Sequence, residues 1–134
     1  MIRNYDTLTE QQQQQLIIMK DAVRDHIECP WYDDRYLFRF LQVQNFNGIK
    51  AAKIFREFVD WRTEMRVDTI VWDPVIIDKI SMMRQYYTWA IHKTDREGRP
   101  IYIDKVGAAD VKRMLQSATL DDFSKMLARE NEYL

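Results

Sequence analysis

For the first eighty residues the apolar side chains return every three or four positions; from Tyr87 they alternate. That change of period most constrains the fold, because a repeat near 3.6 builds one face of a helix and a repeat of 2 builds one face of a strand. Thr9 and Gln12 have capping-box spacing. Leu16, Met19, Val23 and Ile27 then form a single stripe, so a helix is expected from Thr9 to Pro30, where proline ends it. Residues 1–8 read as a frayed leader. Gln11 to Gln15 reads as a solvated helical turn.

Asp33 or Asp34 can cap a second helix with Leu37, Phe40 and Leu41 inside. Asn47-Gly48 breaks it and opens a third. Its stripe of Ala51, Ala52, Phe55, Phe58, Val59 and Arg62 runs to about Met65. Asp73-Pro74, an acidic cap followed by proline at the first helical position, starts a fourth helix that runs through Met83. Tyr87, Trp89 and Ile91 against Thr88, Ala90 and His92 predict a strand, and Ile101 to Ile103 a second, around the turn chemistry of Thr94 to Pro100. Because Tyr86 and Tyr87 are adjacent on this predicted strand, one of them must meet something beyond its own sheet face. Thr119 and Asp122 repeat the capping-box spacing and open a helix over 120–134.

The expected fold is therefore mostly α: a bundle of about four helices, a β-hairpin, and one or two further helices. Domains are expected at 1–82 and 83–134. A hairpin is marginal alone, and the chain stops inside a helical pattern, so the sequence reads as part of a longer protein whose hairpin edges invite self-association.

Composition excludes several functions. Twenty basic and 21 acidic residues are interspersed, giving a net charge of −1, so no basic stripe for nucleic acid exists. The only glycines are Gly48, Gly98 and Gly107, and they form no phosphate-cradling loop. His26 and Cys29 are three apart with no second pair, so no metal site is expected. Ser81, Ser117 and Ser124 sit in no nucleophile motif, and Asp33-Asp34 and Asp121-Asp122 fall where helices begin. No catalytic residue and no cofactor is expected. No apolar run approaches the ~20 residues that span a bilayer, and the first fifteen residues lack the apolar core of a signal peptide. With the single cysteine Cys29, the reading is a cytoplasmic protein, peripheral to membranes.

Two segments carry a resemblance. Residues 33–70 contain Asp34, Leu37-Phe38-Arg39-Phe40-Leu41, Phe46-Asn47, Ala51-Ala52 and Trp61-Arg62. This series resembles the N-terminal helical module of CRAL-TRIO proteins. Residues 92–107, HKTDREGRPIYIDKVG, look like the opening hairpin of the lipid-binding domain in the same family, most similar to the members that transfer phosphatidylinositol and phosphatidylcholine. The resemblance implies an α/β lipid domain beginning in 83–134, a phospholipid or other apolar ligand held in a cavity, transient contact with a membrane surface, and no enzymatic step. Gln44 and Asn45 stand where phosphatidylinositol-transferring members carry an Arg-Lys pair. Asp95 matches the acidic residue of the same headgroup site, and Tyr102 a tyrosine of the phosphatidylcholine-side pocket. The residues also admit other readings: a turn salt bridge for Asp95 and Arg99, sheet packing for Tyr102, and for the whole chain a helical interaction or regulatory adaptor module without a lipid cavity.

Overall fold

The computed structural model describes residues 5–27 and 29–133; expectations for residues 1–4, Glu28 and Leu134 lie outside it. Among the described residues the chain forms seven α-helices and one antiparallel hairpin, in the order α1 (Glu10–Ala22), α2 (Asp34–Val43), α3 (Gly48–Glu64), α4 (Val67–Ile70), α5 (Pro74–Met83), β1 (Trp89–Thr94), β2 (Pro100–Asp104), α6 (Val111–Ser117) and α7 (Leu120–Tyr133). The mostly α expectation holds. The chain divides into two compact units, one up to Thr63 and one from Glu64.

In the first unit α1 begins as expected. Thr9 accepts the Gln12 N–H, and the Gln12 side chain accepts the Thr9 N–H. It ends earlier than proline alone predicts, at Ala22, and a 3-10 turn over Arg24–His26 follows. Residues 5–8 are also not a frayed leader. Tyr5–Thr7 is a 3-10 turn, and the Tyr5 ring packs edge-on against Phe38. Asp33 caps α2 by accepting the Tyr36 N–H at 2.8 Å. The core gathers Leu16, Met19, Val23, Tyr32, Leu37, Leu41, Ala51, Ala52 and Phe55, with Phe40 half-buried beside it. Asn47 caps α3 through the Lys50 N–H, and the Gly48 N–H donates to Gln15 Oε1 at 2.8 Å. The glutamine run is thus more than a solvated turn: Gln12 and Gln15 each close a helix end.

In the second unit Asp73 caps α5 through the N–H groups of Val75 and Ile76. The short α4 carries no sequence period of its own, and the helical pattern does not foretell it. α4 and α5 pack on α7. The core holds Val67, Ile70, Ile76, Ile80, Met83, Tyr87, Trp89, Met114 and Met126. Tyr86 and Tyr87 lie before the strand, in the turn that leaves α5, where the N–H of each donates to the Met83 carbonyl. Both pack against this one core, and Tyr87 meets Phe123 of α7, beyond the sheet. The hairpin pairs Trp89 with Asp104, Ala90 with Ile103 and Ile91 with Tyr102. A bulge then inserts a residue before Thr94 meets Pro100, and Lys93 takes φ 55° to make it. Thr119 and Asp122 exchange cap bonds at the head of α7.

Candidate functional site

The four residues singled out by resemblance fall in different units. Gln44 and Asn45 occupy the corner between α2 and α3. This corner is a Schellman ending: the Phe46 N–H reaches back to the Leu41 carbonyl at 2.8 Å and the Asn45 N–H to the Gln42 carbonyl at 3.2 Å. Such an ending needs a left-handed residue, and Asn45 supplies it at φ 49°, followed by Phe46 at φ 60°. Asparagine tolerates that conformation better than most side chains. Phe46 tolerates it poorly and is held by contact of its ring with Phe38, centroids 5.9 Å apart.

Beside the corner lies a hollow of about 530 Å³ lined by Thr9, Gln11, Gln12 and Gln15 from the α1 side and by Asn45, Phe46 and Asn47. Every polar group in that lining is an amide or a hydroxyl. The hollow can donate and accept hydrogen bonds, but no formal charge is present to balance a phosphate. Four of its side chains are already committed: Thr9 and Gln12 to their capping box, Gln15 to Gly48 and Asn47 to Lys50. Gln44 is not part of the lining.

Asp95 sits at the head of the hairpin turn. One carboxylate oxygen accepts the N–H groups of Glu97 and Arg99 at 2.8 and 2.9 Å, and the other accepts Arg99 Nε at 2.7 Å. These donors, the Arg99 backbone N–H foremost, hold its carboxyl below the usual carboxylate range. The turn salt bridge read from the sequence is present, and it engages both oxygens.

Tyr102 is half-buried against the core of its unit, opposite Ile91. Burial, and then the charge of Asp104, push its phenol above the ordinary value. Nearby, the Tyr87 hydroxyl donates to Asp104, and chiefly for that reason its own pKa is pushed up to about 12. A further polar group escaped sequence reasoning. Buried Glu130 accepts Trp89 Nε1 at 2.9 Å and pairs with Arg129 at 3.2 Å, while Arg129 Nε donates to the Val71 carbonyl. The Arg84 guanidinium lies 4.6 Å from the Trp89 ring centroid. The available signal was a glutamate in an apolar stripe, four residues after Met126 on α7. Among the described residues no group of three histidine, cysteine or carboxylate side chains is placed to hold a metal. Among the described residues no helix is long and apolar enough to cross a membrane.

No family model matches the chain. It aligns with phosphatidylinositol/phosphatidylcholine transfer protein SFH7 of Arabidopsis thaliana, 33% identical over 111 residues, which is 82% of this chain and 20% of that protein. Protein SFH9 of the same name and plant is 37% identical over 95 residues, 70% of this chain and 16% of that protein. Sec14 cytosolic factor of Schizosaccharomyces pombe is 33% identical over 102 residues, 76% of this chain and 35% of that protein. The chain thus spans about a third or less of the length of these relatives.

Proposed function

The chain belongs to the CRAL-TRIO family as a homologue, over most of its length, of Sec14-like phosphatidylinositol/phosphatidylcholine transfer proteins, and on that premise we propose that it is the N-terminal part of a lipid carrier. The observation that carries this reading is the identity of 33% over 82% of the chain with a named transfer protein. In this reading, 1–82 is the helical module and 83–134 the beginning of the lipid domain. The carrier works in the cytoplasm, touches membranes transiently, and makes or breaks no covalent bond. Its driving force is burial of acyl chains, worth about 0.8 kcal/mol per CH₂ removed from water.

The ligand is a phospholipid or another apolar molecule. Gln44, Asn45, Asp95 and Tyr102 are the proposed contributors to its site. The amide lining beside Asn45 favours a ligand that presents no phosphate to that corner, because an anion there would have no cation to meet. Asp95, already bonded to Arg99, contributes by shaping the turn. The exposed Ile91, Ile101 and Ile103 of the hairpin await a covering surface, and pairing of two hairpins is one way to supply it.

The test is native mass spectrometry, with lipid extraction, of this chain and of the full product of its gene, both purified from cells. A stoichiometric lipid on the gene product supports the carrier. A gene product that takes up no lipid after incubation with mixed vesicles sinks it and favours the adaptor reading.

A further inference from the structure

In the first unit α2 and α3 leave an apolar hollow of about 300 Å³ open on their outer side. Tyr36, Arg39, Phe40, Val43, Ile54 and Phe58 line it. Helical spacing explains the set: Tyr36, Phe40 and Val43 share one face of α2, and Ile54, Phe58 and Trp61 share one face of α3. The rim projects. Val43 is 72% exposed, and Trp61, stacked on Phe58 with centroids 6.2 Å apart, is 42% exposed.

Elsewhere on the unit most cations have a carboxylate partner, and Arg56 donates to the Ala22 carbonyl. Lys20 pairs with Asp34, Arg35 with Asp6, Arg24 with Asp21 and Lys53 with Glu57. Arg39 and Lys50 make no ion pair among the described residues. Arg39 lines the hollow and lies 5.1 Å from the Tyr36 ring centroid. Lys50 stands one turn before Ile54 on the same side of α3. An exposed apolar face flanked by two unneutralised cations calls for an anionic occupant with apolar depth.

We propose that this face docks the protein on bilayers containing anionic phospholipid, with Val43 and Trp61 entering the interface and Arg39 and Lys50 meeting headgroup phosphates. The choice of a bilayer rests on the lipid-carrier reading, since exchange requires membrane contact. It also follows from the projecting rim: tryptophan settles at the headgroup level, and arginine keeps its charge in water above an apolar stem. Attraction to an anionic leaflet falls off within a Debye length, so docking is salt-sensitive.

The test is co-sedimentation of the 134-residue chain with vesicles of phosphatidylcholine, with and without phosphatidylserine, at low and high salt. The chain is expected to bind the mixed vesicles, to release in salt, and to leave pure phosphatidylcholine largely unbound. Arg39→Gln and Lys50→Gln are each expected to weaken binding about fivefold. Val43→Ser with Trp61→Ser is expected to weaken it further. All four positions are exposed, and melting temperatures close to wild type will show that the variants fold. Equal binding by the variants, equal binding to both vesicle types, or no binding overturns the proposal. So does a self-associated chain whose dimer dissolves with Val43→Ser, which would make the face a contact between copies. Lipid content by mass spectrometry is independent of these outcomes. If the gene product holds lipid but its vesicle binding ignores these substitutions, the docking face is wrong and the carrier stands. If it holds no lipid, the carrier reading fails whatever the vesicles show.

Discussion

Gly48→Ala sets two effects of opposite sign against each other. Gly48 is the first residue of α3, and alanine is the better helix former by up to about 1 kcal/mol, less at a helix end than in its interior. Against this stands the approach of α1. A methyl carbon at position 48 would lie 2.5 Å from the Gln15 backbone oxygen, 3.2 Å from Gln15 Oε1 and 3.2 Å from Ile18 Cγ2. The nearest obstacle is backbone, so no rotamer change relieves it and α1 must shift. Overpacking of this kind costs about 1–3 kcal/mol. The shift also strains the Gly48 N–H bond to Gln15, worth about 0.5–1.5 kcal/mol. The clash therefore wins, with a net loss of about 1–3 kcal/mol. For a domain of this size each kcal/mol lowers the melting temperature by about 4–8 °C.

The measurement is thermal and urea unfolding by circular dichroism, with hydrogen exchange followed in peptides from α1 and α3. Gln15→Ala provides the internal control. If the obstacle is the Gln15 carbonyl, trimming the side chain does not rescue Gly48→Ala. Gly107→Ala, where the added carbon meets nothing within 4 Å, should leave stability near wild type. A Gly48→Ala protein as stable as wild type, or one restored by Gln15→Ala, refutes the close-approach argument.

Three other outcomes follow from the second unit. Glu130→Ala leaves the buried Trp89 N–H without its acceptor and Arg129 without its adjacent carboxylate; a loss of about 2–4 kcal/mol in urea unfolding is expected, and a loss under about 0.5 kcal/mol would mean the cluster is inert. Asp73→Ala removes the cap of α5 and should cost about 1 kcal/mol, with Asp73→Asn recovering most of it. Stability should also fall at high pH through Tyr87: its folded pKa is raised to about 12 from 10.0, so its contribution is complete below 10 and is lost as pH rises through 12. Tyrosinate absorbance should show one phenol titrating near 12, and Tyr87→Phe should flatten the alkaline fall; a Tyr87→Phe protein with the wild-type profile would count against the assignment.

Much of the fold was legible because the chain signals its helix ends chemically. Thr9 with Gln12, Asp33, Asp73 with Pro74, and Thr119 with Asp122 all cap where the spacing said they would. What escaped has a physical cause in each case. α4 is four residues long, too short for a period. α1 stops at Ala22 although no breaker stands there, so a search for proline places its end too late. Left-handed residues other than glycine (Asn45, Phe46, Arg66 and Lys93) have weak signatures, yet they set the corner, the turn into α4 and the bulge. Glu130 looks like a surface glutamate until a tryptophan arrives from 41 positions away. The candidate lipid residues came from resemblance alone; periodicity carries no information about a headgroup.

Position 45 ties these threads together. The resemblance that sets Gln44 and Asn45 against an Arg-Lys pair invites the view that the asparagine marks a change of ligand. The backbone supplies a second demand: the Schellman ending requires a left-handed residue there, and the next residue, a phenylalanine, is left-handed as well. Two consecutive strained residues, costing of order 1–3 kcal/mol each, persist only where packing fixes them, and the Phe46 contact with Phe38 does so. Asparagine lowers the first of these costs, so it stabilises the corner at position 45 whatever the ligand. Gln44 feels no such demand. It caps α2 at a negative φ (φ −97°, ψ 23°), so a lysine or arginine there meets no left-handed strain. A charge introduced at position 44 therefore probes ligand chemistry more directly than one introduced at position 45. Introducing a cation by Gln44→Arg tests headgroup preference with the backbone left at ease, whereas Asn45→Lys changes charge and corner strain at once.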